Sequence, residues 1–145
     1  GAVASAAGYI VDGQTTDAPI IGVLNGIFYN AATTLKPTFA NFYTQVTPAN
    51  SEDIDAFVFD SPTQQYVVAT DDAVTQAGFL ETYDMNTSAG SDITGKSSAT
   101  LDIGDTSADS ATFRLLRVAE DPENEDITAA RCSVVVVPNL IELQS

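Results

Sequence analysis

Carboxylates are the one reactive side chain this sequence holds in quantity: twenty Asp and Glu in 145 residues, against five Lys and Arg and no His. They gather at Glu52-Asp53-x-Asp55, at Asp71-Asp72 and, most densely, across Asp121-Pro-Glu-Asn-Glu-Asp126. Such density suits hard cations such as calcium. The 121–126 run nevertheless lacks the Asp-x-Asp-x-Asp-Gly spacing and distal Glu of an EF-hand loop, so a solvated connection is the simpler reading. The two smaller groups read as solvated strand or helix ends. Paired carboxylates also serve glycoside hydrolysis, but that pairing is spatial and leaves no mark on a single sequence. Sugar sites add aromatic platforms; here there is no Trp, and the seven Phe read as core.

The remaining catalytic repertoire is thin. Without His, the Ser-His-Asp and Cys-His systems lose their base. The sequence has no Gly-x-Ser-x-Gly elbow, no Gly-rich phosphate loop with its Lys and no Cys pair. Zinc lacks a ligand set, and Lys36 and Lys96 leave little scope for Schiff-base chemistry. The expectation is therefore no enzyme, no cofactor and no metal. Cys132, flanked by Arg131 and by Ser133 with four valines, reads as a small hydrophobe in an apolar strand.

The net charge of −15 argues against nucleic acid as a partner, because neutralising phosphates needs Lys and Arg in number. It argues equally against an anionic membrane surface. No apolar run reaches the length of a membrane span, and the first residues have neither the basic nor the apolar stretch of a signal peptide. The distribution of charge says more than its sum. Residues 1–51 hold two acids (Asp12, Asp17) and one base (Lys36), while eighteen acids and four bases lie beyond them. The first third is either a set of tight strands made from small residues or a segment covered by another chain, since interface cores are poor in charge.

The bases that lie in strands are the remaining candidates. Arg114 and Arg117 are three apart on one predicted strand, which places them on opposite faces, and Arg131 opens the next strand. They either pair with nearby acids and lay their stems on the sheet, or one of them anchors a partner.

The elements that would position these groups are short strands. Gly8–Val11 is one, closed by the turn pair Asp12-Gly13. In Ile20–Tyr29, Asn25-Gly26 is either a tight hairpin turn or a bulge in one long strand. Ile54–Asp60 alternates, with Phe57 and Phe59 on one face and Ile54, Ala56 and Val58 on the other, and Gln65–Thr70 reads as its hairpin partner across Ser61-Pro62. Asp71–Ala77 before Gly78 could form two helical turns. Asn86–Gly95 reads as a loop or flat hairpin tip. Thr112–Val118 and Cys132–Val137 complete the set, and the unbroken Val134–Val137 predicts a strand covered on both faces. The reading is an all-β chain: a single small antiparallel barrel or sandwich with at most one short helix. Residues 1–19 form an arm or edge segment and residues 20–145 one β domain.

Several blocks in succession resemble the head decoration, or cement, proteins of tailed bacteriophages, particularly those of marine and cyanobacterial phages. They are Ala18-Pro-Ile-Ile-Gly-Val-Leu-Asn-Gly-Ile-Phe-Tyr29, Lys36-Pro-Thr-Phe39 with Asn41-Phe-Tyr43, and Ile54-Asp-Ala-Phe-Val-Phe-Asp-Ser-Pro62 with Gln65-Tyr-Val-Val68. Phe113-Arg-Leu-Leu-Arg-Val118, Asp121-Pro-Glu-Asn124 and Cys132-Ser-Val-Val-Val-Val-Pro-Asn139-Leu-Ile-Glu-Leu143 follow. The resemblance runs from about Asp17 to the end and lies in the order of the blocks. It implies a β-barrel-like domain on the outer surface of the virion, bridging major capsid protein subunits of the HK97-type fold. It also implies self-association, a trimer being favoured over a dimer, with no catalysis. The expected capsid or self-association contacts are Tyr9, Asn30, Lys36, Phe39, Tyr43, Arg114, Arg117, Arg131, Leu140 and Ile141. The alternative is an extracellular or tail-associated module that binds a glycan or host surface through Tyr29, Phe39, Phe42 and Tyr43.

Overall fold

A run of four valines sets the architecture. In a computed structural model that describes residues 2–4, 9–12, 19–86, 88, 90–105, 111–123 and 126–140, every strand pairing is antiparallel. Strands β1 (Ala2–Ala4) and β2 (Ile10–Asp12) form a ribbon. Strands β3 (Val23–Asn30), β4 (Pro37–Ala40) and β5 (Asp55–Phe59) form a three-stranded sheet in the order β4-β3-β5. Next come β6 (Tyr66–Ala69), β7 (Thr82–Tyr83), β8 (Met85–Asn86), β9 (Thr100–Leu101), β10 (Phe113–Val118) and β11 (Ser133–Pro138). Of these, β6-β11-β10-β7 make a four-stranded sheet and β8-β9 a second ribbon. The chain is all-β, and the described residues do not close into a barrel.

β11 is the valine strand and lies inside the larger sheet, between β6 and β10. Val134 and Val136 point inward and Val135 outward, and all three are buried. A continuous apolar run with both faces covered gives this pattern. The inner face carries the core, in which Phe113, Leu115, Val134, Val136 and Tyr83 pack with Ile20, Val74, Leu101 and Cys132. Tyr66 meets Phe113 edge-on with ring centroids 6.3 Å apart, the arrangement aromatic quadrupoles favour. Buried polar groups have partners, as two cases show. The Tyr83 hydroxyl donates to the Gly78 carbonyl at 3.0 Å. The Asp84 carboxylate accepts from the Thr112 amide and hydroxyl at 3.0 and 3.2 Å, tying the β7–β8 corner to the start of β10.

Several expected connections are different. Asn25-Gly26 forms a bulge within β3, where the register against β5 shifts between Leu24 and Gly26. The hairpin expected between the 54–60 and 65–70 strands does not form: β5 pairs with β3 and β6 with β11. Alternation gave each strand's faces, but the Ser61-Pro62 turn hands the chain to another sheet, a tertiary choice that local pattern does not encode. Asp71–Ala77 does not make two helical turns; Gln76–Gly78 is a single 3-10 turn. The segment has too few apolar positions at helical spacing to bury a helix face. Asn86–Gly95 belongs mainly to the connection between the paired strands β8 and β9, as a hairpin tip should.

The two larger sheets touch lightly. The Tyr66 hydroxyl donates to the Phe59 carbonyl at 3.1 Å, and, just outside the strands, the Ile20 amide ahead of β3 donates to the Leu140 carbonyl beyond β11 at 3.2 Å. Among the described residues, nothing from β3, β4 or β5 belongs to the main core.

Candidate functional site

The bulge at Asn25-Gly26 decides what the three-stranded sheet shows to water. Antiparallel partners share a face, so Gly26 and Phe28 lie with Asp55, Phe57 and Phe59 of β5 and Phe39 of β4. Phe28, Phe39, Phe57 and Phe59 are 37, 60, 48 and 48% exposed. Phe39 and Phe57 approach to 6.2 Å between ring centroids at 45°. The Phe39 ring lies across Gly26, where a Cβ would fall 2.6 Å from its Cζ; glycine is the seat that lets the ring lie down. With roughly 150–250 Å² per phenylalanine, the four leave on the order of 300–500 Å² of ring surface in water. The largest apolar patch on a typical monomer is of that size and is often functional.

The opposite face of the same sheet lines a cleft of about 740 Å³. Leu24, Ile27 and Ala56, on that sheet face, form its floor, and Tyr9, Asn41, Phe42, Tyr43, Glu52 and Asp53 are among the residues that complete the lining. The Tyr9 hydroxyl donates to Asp53 Oδ1 at 3.2 Å, and Asn30 Nδ2 donates to Glu52 Oε2 at 3.0 Å. Gly95 fixes the Phe42 ring from the far side: its φ is +68°, and a Cβ there would lie 2.2 Å from Phe42 Cδ1.

The expected contact residues fall into separate places. Phe39 lies on the exposed aromatic face, whereas Tyr9 and Tyr43 line the cleft behind it. Asn30 ends β3, and Lys36 is exposed in the turn before β4. The aromatic group proposed for glycans is split: Tyr29 pairs with Thr38 on the cleft-side face, Phe39 is on the outer one, and Phe42 and Tyr43 line the cleft. Arg114 and Arg117 share a face instead of opposing one another, because a bulge after Leu115 shifts the register so that they pair with Val137 and Val135. Arg114 reaches Asn139 Oδ1 at 3.3 Å, and Arg117 forms an exposed ion pair with Glu120 at 3.5 Å, a contact of little stabilising value. Arg131 does not open a strand: it sits in a turn with φ +66°, two residues before β11. Leu140 is half-buried, and Ile141 lies outside the described residues.

Phe28, Phe57 and Phe59 were not among the expected contacts, and reading the phenylalanines as core was wrong for four of the seven. The alternation of residues 54–60 already placed Phe57 and Phe59 together. The outward orientation of that face was hidden, because the smaller Ile54, Ala56 and Val58 point the other way. In the acidic loop, hydrogen bonds from the Thr128 hydroxyl and amide hold the Asp126 carboxyl below the usual range, and Asp121 Oδ1 accepts from the Glu123 amide. Among the described residues no three acids converge to hold a metal ion. Comparison with protein-family models, with curated proteins and with solved structures finds no match for this chain.

Proposed function

We propose that this chain is a structural virion protein that decorates and cements the outer surface of a phage capsid, bridging major capsid protein subunits of the HK97-type fold. The observation that carries the reading is the sheet face of four exposed phenylalanines around Gly26. Phe28 and Phe39 lie in the first third of the chain, which has only three charges, and Asp55, paired with Phe28, is the acid that the register places beside the rings. Interface cores have this composition, aromatic and poor in charge. The acids crowd into the later strands and loops, which suits a surface turned toward solvent. The succession of sequence blocks that resembles the cement proteins points the same way. Self-association, with a trimer favoured, would repeat a modest contact around a symmetry axis, so that avidity over a closed lattice replaces single-site affinity.

The test is the composition of purified particles. The chain is expected in virions at a fixed ratio to the major capsid protein, and particles lacking it are expected to lose heat resistance. A Phe39→Ser, Phe57→Ser double variant is expected to fold and yet fail to join particles. Virions without the chain would overturn the reading.

A further inference from the structure

We infer that the cleft behind the aromatic face is a receptor site for an arginine or lysine side chain, presented between aliphatic residues by an extended segment of a partner protein. The site goes beyond the capsid reading and does not depend on it. Its volume of about 740 Å³ is in the range of built ligand pockets, which are mostly apolar with a few placed polar groups. The charged groups here carry one sign, beside the neutral Asn41 amide and the Tyr9 and Tyr43 hydroxyls. Glu52 and Asp53 stand on the rim, both exposed, and each accepts one hydrogen bond from a neutral donor, the Asn30 amide and the Tyr9 hydroxyl. A carboxylate has about four acceptor positions, so both keep capacity for an incoming donor. None of the residues lining the cleft is basic; Lys96, next to Gly95, is exposed and outside the lining. The acids therefore have no internal cation to neutralise them, in a chain of charge −15.

The walls select the kind of cation. The rings of Tyr9, Phe42 and Tyr43 line the same cleft as the two carboxylates, and aromatic rings hold guanidinium and ammonium groups by cation–π attraction. The floor of Leu24, Ile27 and Ala56 has no polar side chain to offer. A small hydrated ion would leave that floor uncovered. A long basic side chain lays its methylene stem on it and keeps its head at the rim, and aliphatic neighbours on the same segment extend the cover. A sugar would find ring platforms but would set its hydroxyls against the apolar floor.

Isothermal titration calorimetry on the intact chain tests this with short neutral-capped peptides in which one central residue, flanked by leucines, is arginine, lysine, norleucine or glutamate. The arginine and lysine peptides are expected to bind roughly tenfold or more tightly than the norleucine one, the size of a hydrogen bond to a charged group, and to weaken with added salt. Glu52→Gln and Asp53→Asn, which keep shape and neutral hydrogen bonding, are expected to remove that preference with an unchanged circular dichroism spectrum. Equal binding of norleucine would overturn the proposal in favour of a plain apolar groove. Binding of a trisaccharide in place of the peptides, or no binding of either basic peptide, would overturn it as well. The peptide series on the unaltered chain stands even if a variant fails to fold, and virion composition tests the capsid reading separately.

Discussion

Phe113 and Phe57 are both strand residues on a sheet face, yet Phe113 is 4% exposed and Phe57 48%. Phe113 lies on the inner face of the four-stranded sheet, where Tyr66, Leu115 and the valines of β11 close over it. Phe57 lies on the outer face of the three-stranded sheet, with the Phe39 ring leaning on it. The larger sheet has bought its stability by burying one face completely. The smaller sheet buries Ile27 and leaves a cleft on one side and rings in water on the other. A protein that only had to fold would have no reason to leave four phenylalanines uncovered, because each buried ring is worth about 1.5–3 kcal/mol. The difference is one of burial: the four-stranded sheet carries the core, and the three-stranded sheet, on the reading proposed above, keeps its aromatic face for a partner.

Truncation on each side gives the largest effect with which to break that contrast. Leu115→Ala empties a fully buried site and is expected to cost about 2–5 kcal/mol, transfer and cavity terms together. Phe57→Ala removes a larger side chain that is already half in water, and its expected cost is about 1 kcal/mol. Denaturant unfolding of the two variants measures both. If Phe57→Ala costs as much as Leu115→Ala, the smaller sheet is a second folding core, and its aromatic face is structural.

A smaller effect, at the centre of the aromatic face, sharpens the comparison. Replacing a strand glycine by alanine ordinarily stabilises by up to about 1 kcal/mol, through lost freedom of the unfolded chain. At Gly26 the added Cβ would lie 2.6 Å from Phe39 Cζ and 2.9 Å from the Ala40 carbonyl oxygen. The ring can swing away, but the β4 backbone must move too, and overpacking of this kind costs about 1–3 kcal/mol. The clash wins, and Gly26→Ala is expected to lower stability by about 1 kcal/mol. Lifting Phe39 off its seat should also lower particle attachment more than that loss of stability explains. Unfolding and virion incorporation of the same variant separate the two.

How much of this was legible depended on whether the deciding contact was local. The β class, the strand expected at Thr112–Val118 and observed at Phe113–Val118, and the double burial expected for Val134–Val137 and complete for Val134–Val136, with Val137 half-buried, followed from β-branched runs and alternation. The pairing of β5 with β3 did not, because two strands of suitable pattern can join any open edge and only the sum of tertiary contacts chooses. Bulges had the same effect on individual side chains. One extra residue after Leu115 turned Arg114 and Arg117 to the same face, and the bulge at Asn25-Gly26 brought Gly26 and Phe28 into line with Phe57 and Phe59. Of the candidate site, Phe39 and Tyr43 were within reach of the sequence; that one would lie in front of a sheet and the other behind it was not.

The smallest expected effect probes the junction of the two sheets through its tyrosines. Burial raises the Tyr83 hydroxyl above its ordinary value of 10.0, and the negative charge of Glu81 adds to this. Burial likewise raises Tyr66, with Asp60 adding to it. In both, the folded chain holds its proton more firmly than the unfolded one. Their contribution to stability is therefore complete below pH 10 and is lost as pH rises through the folded values, because the unfolded chain ionises first. Denaturation midpoints at about pH 8 and about pH 11 should show the fall. Tyr83→Phe and Tyr66→Phe should each make it shallower, at a cost of about 1 kcal/mol at the lower pH for the lost hydrogen bond. The two variants differ in what they report. Tyr83 donates within the core region, to Gly78, whereas Tyr66 bridges from β6 to the Phe59 carbonyl at the end of β5. If Tyr66→Phe leaves the alkaline fall untouched while Tyr83→Phe reduces it, the junction opens before the core does, and the smaller sheet is free to adjust against its partner while the larger one stays folded.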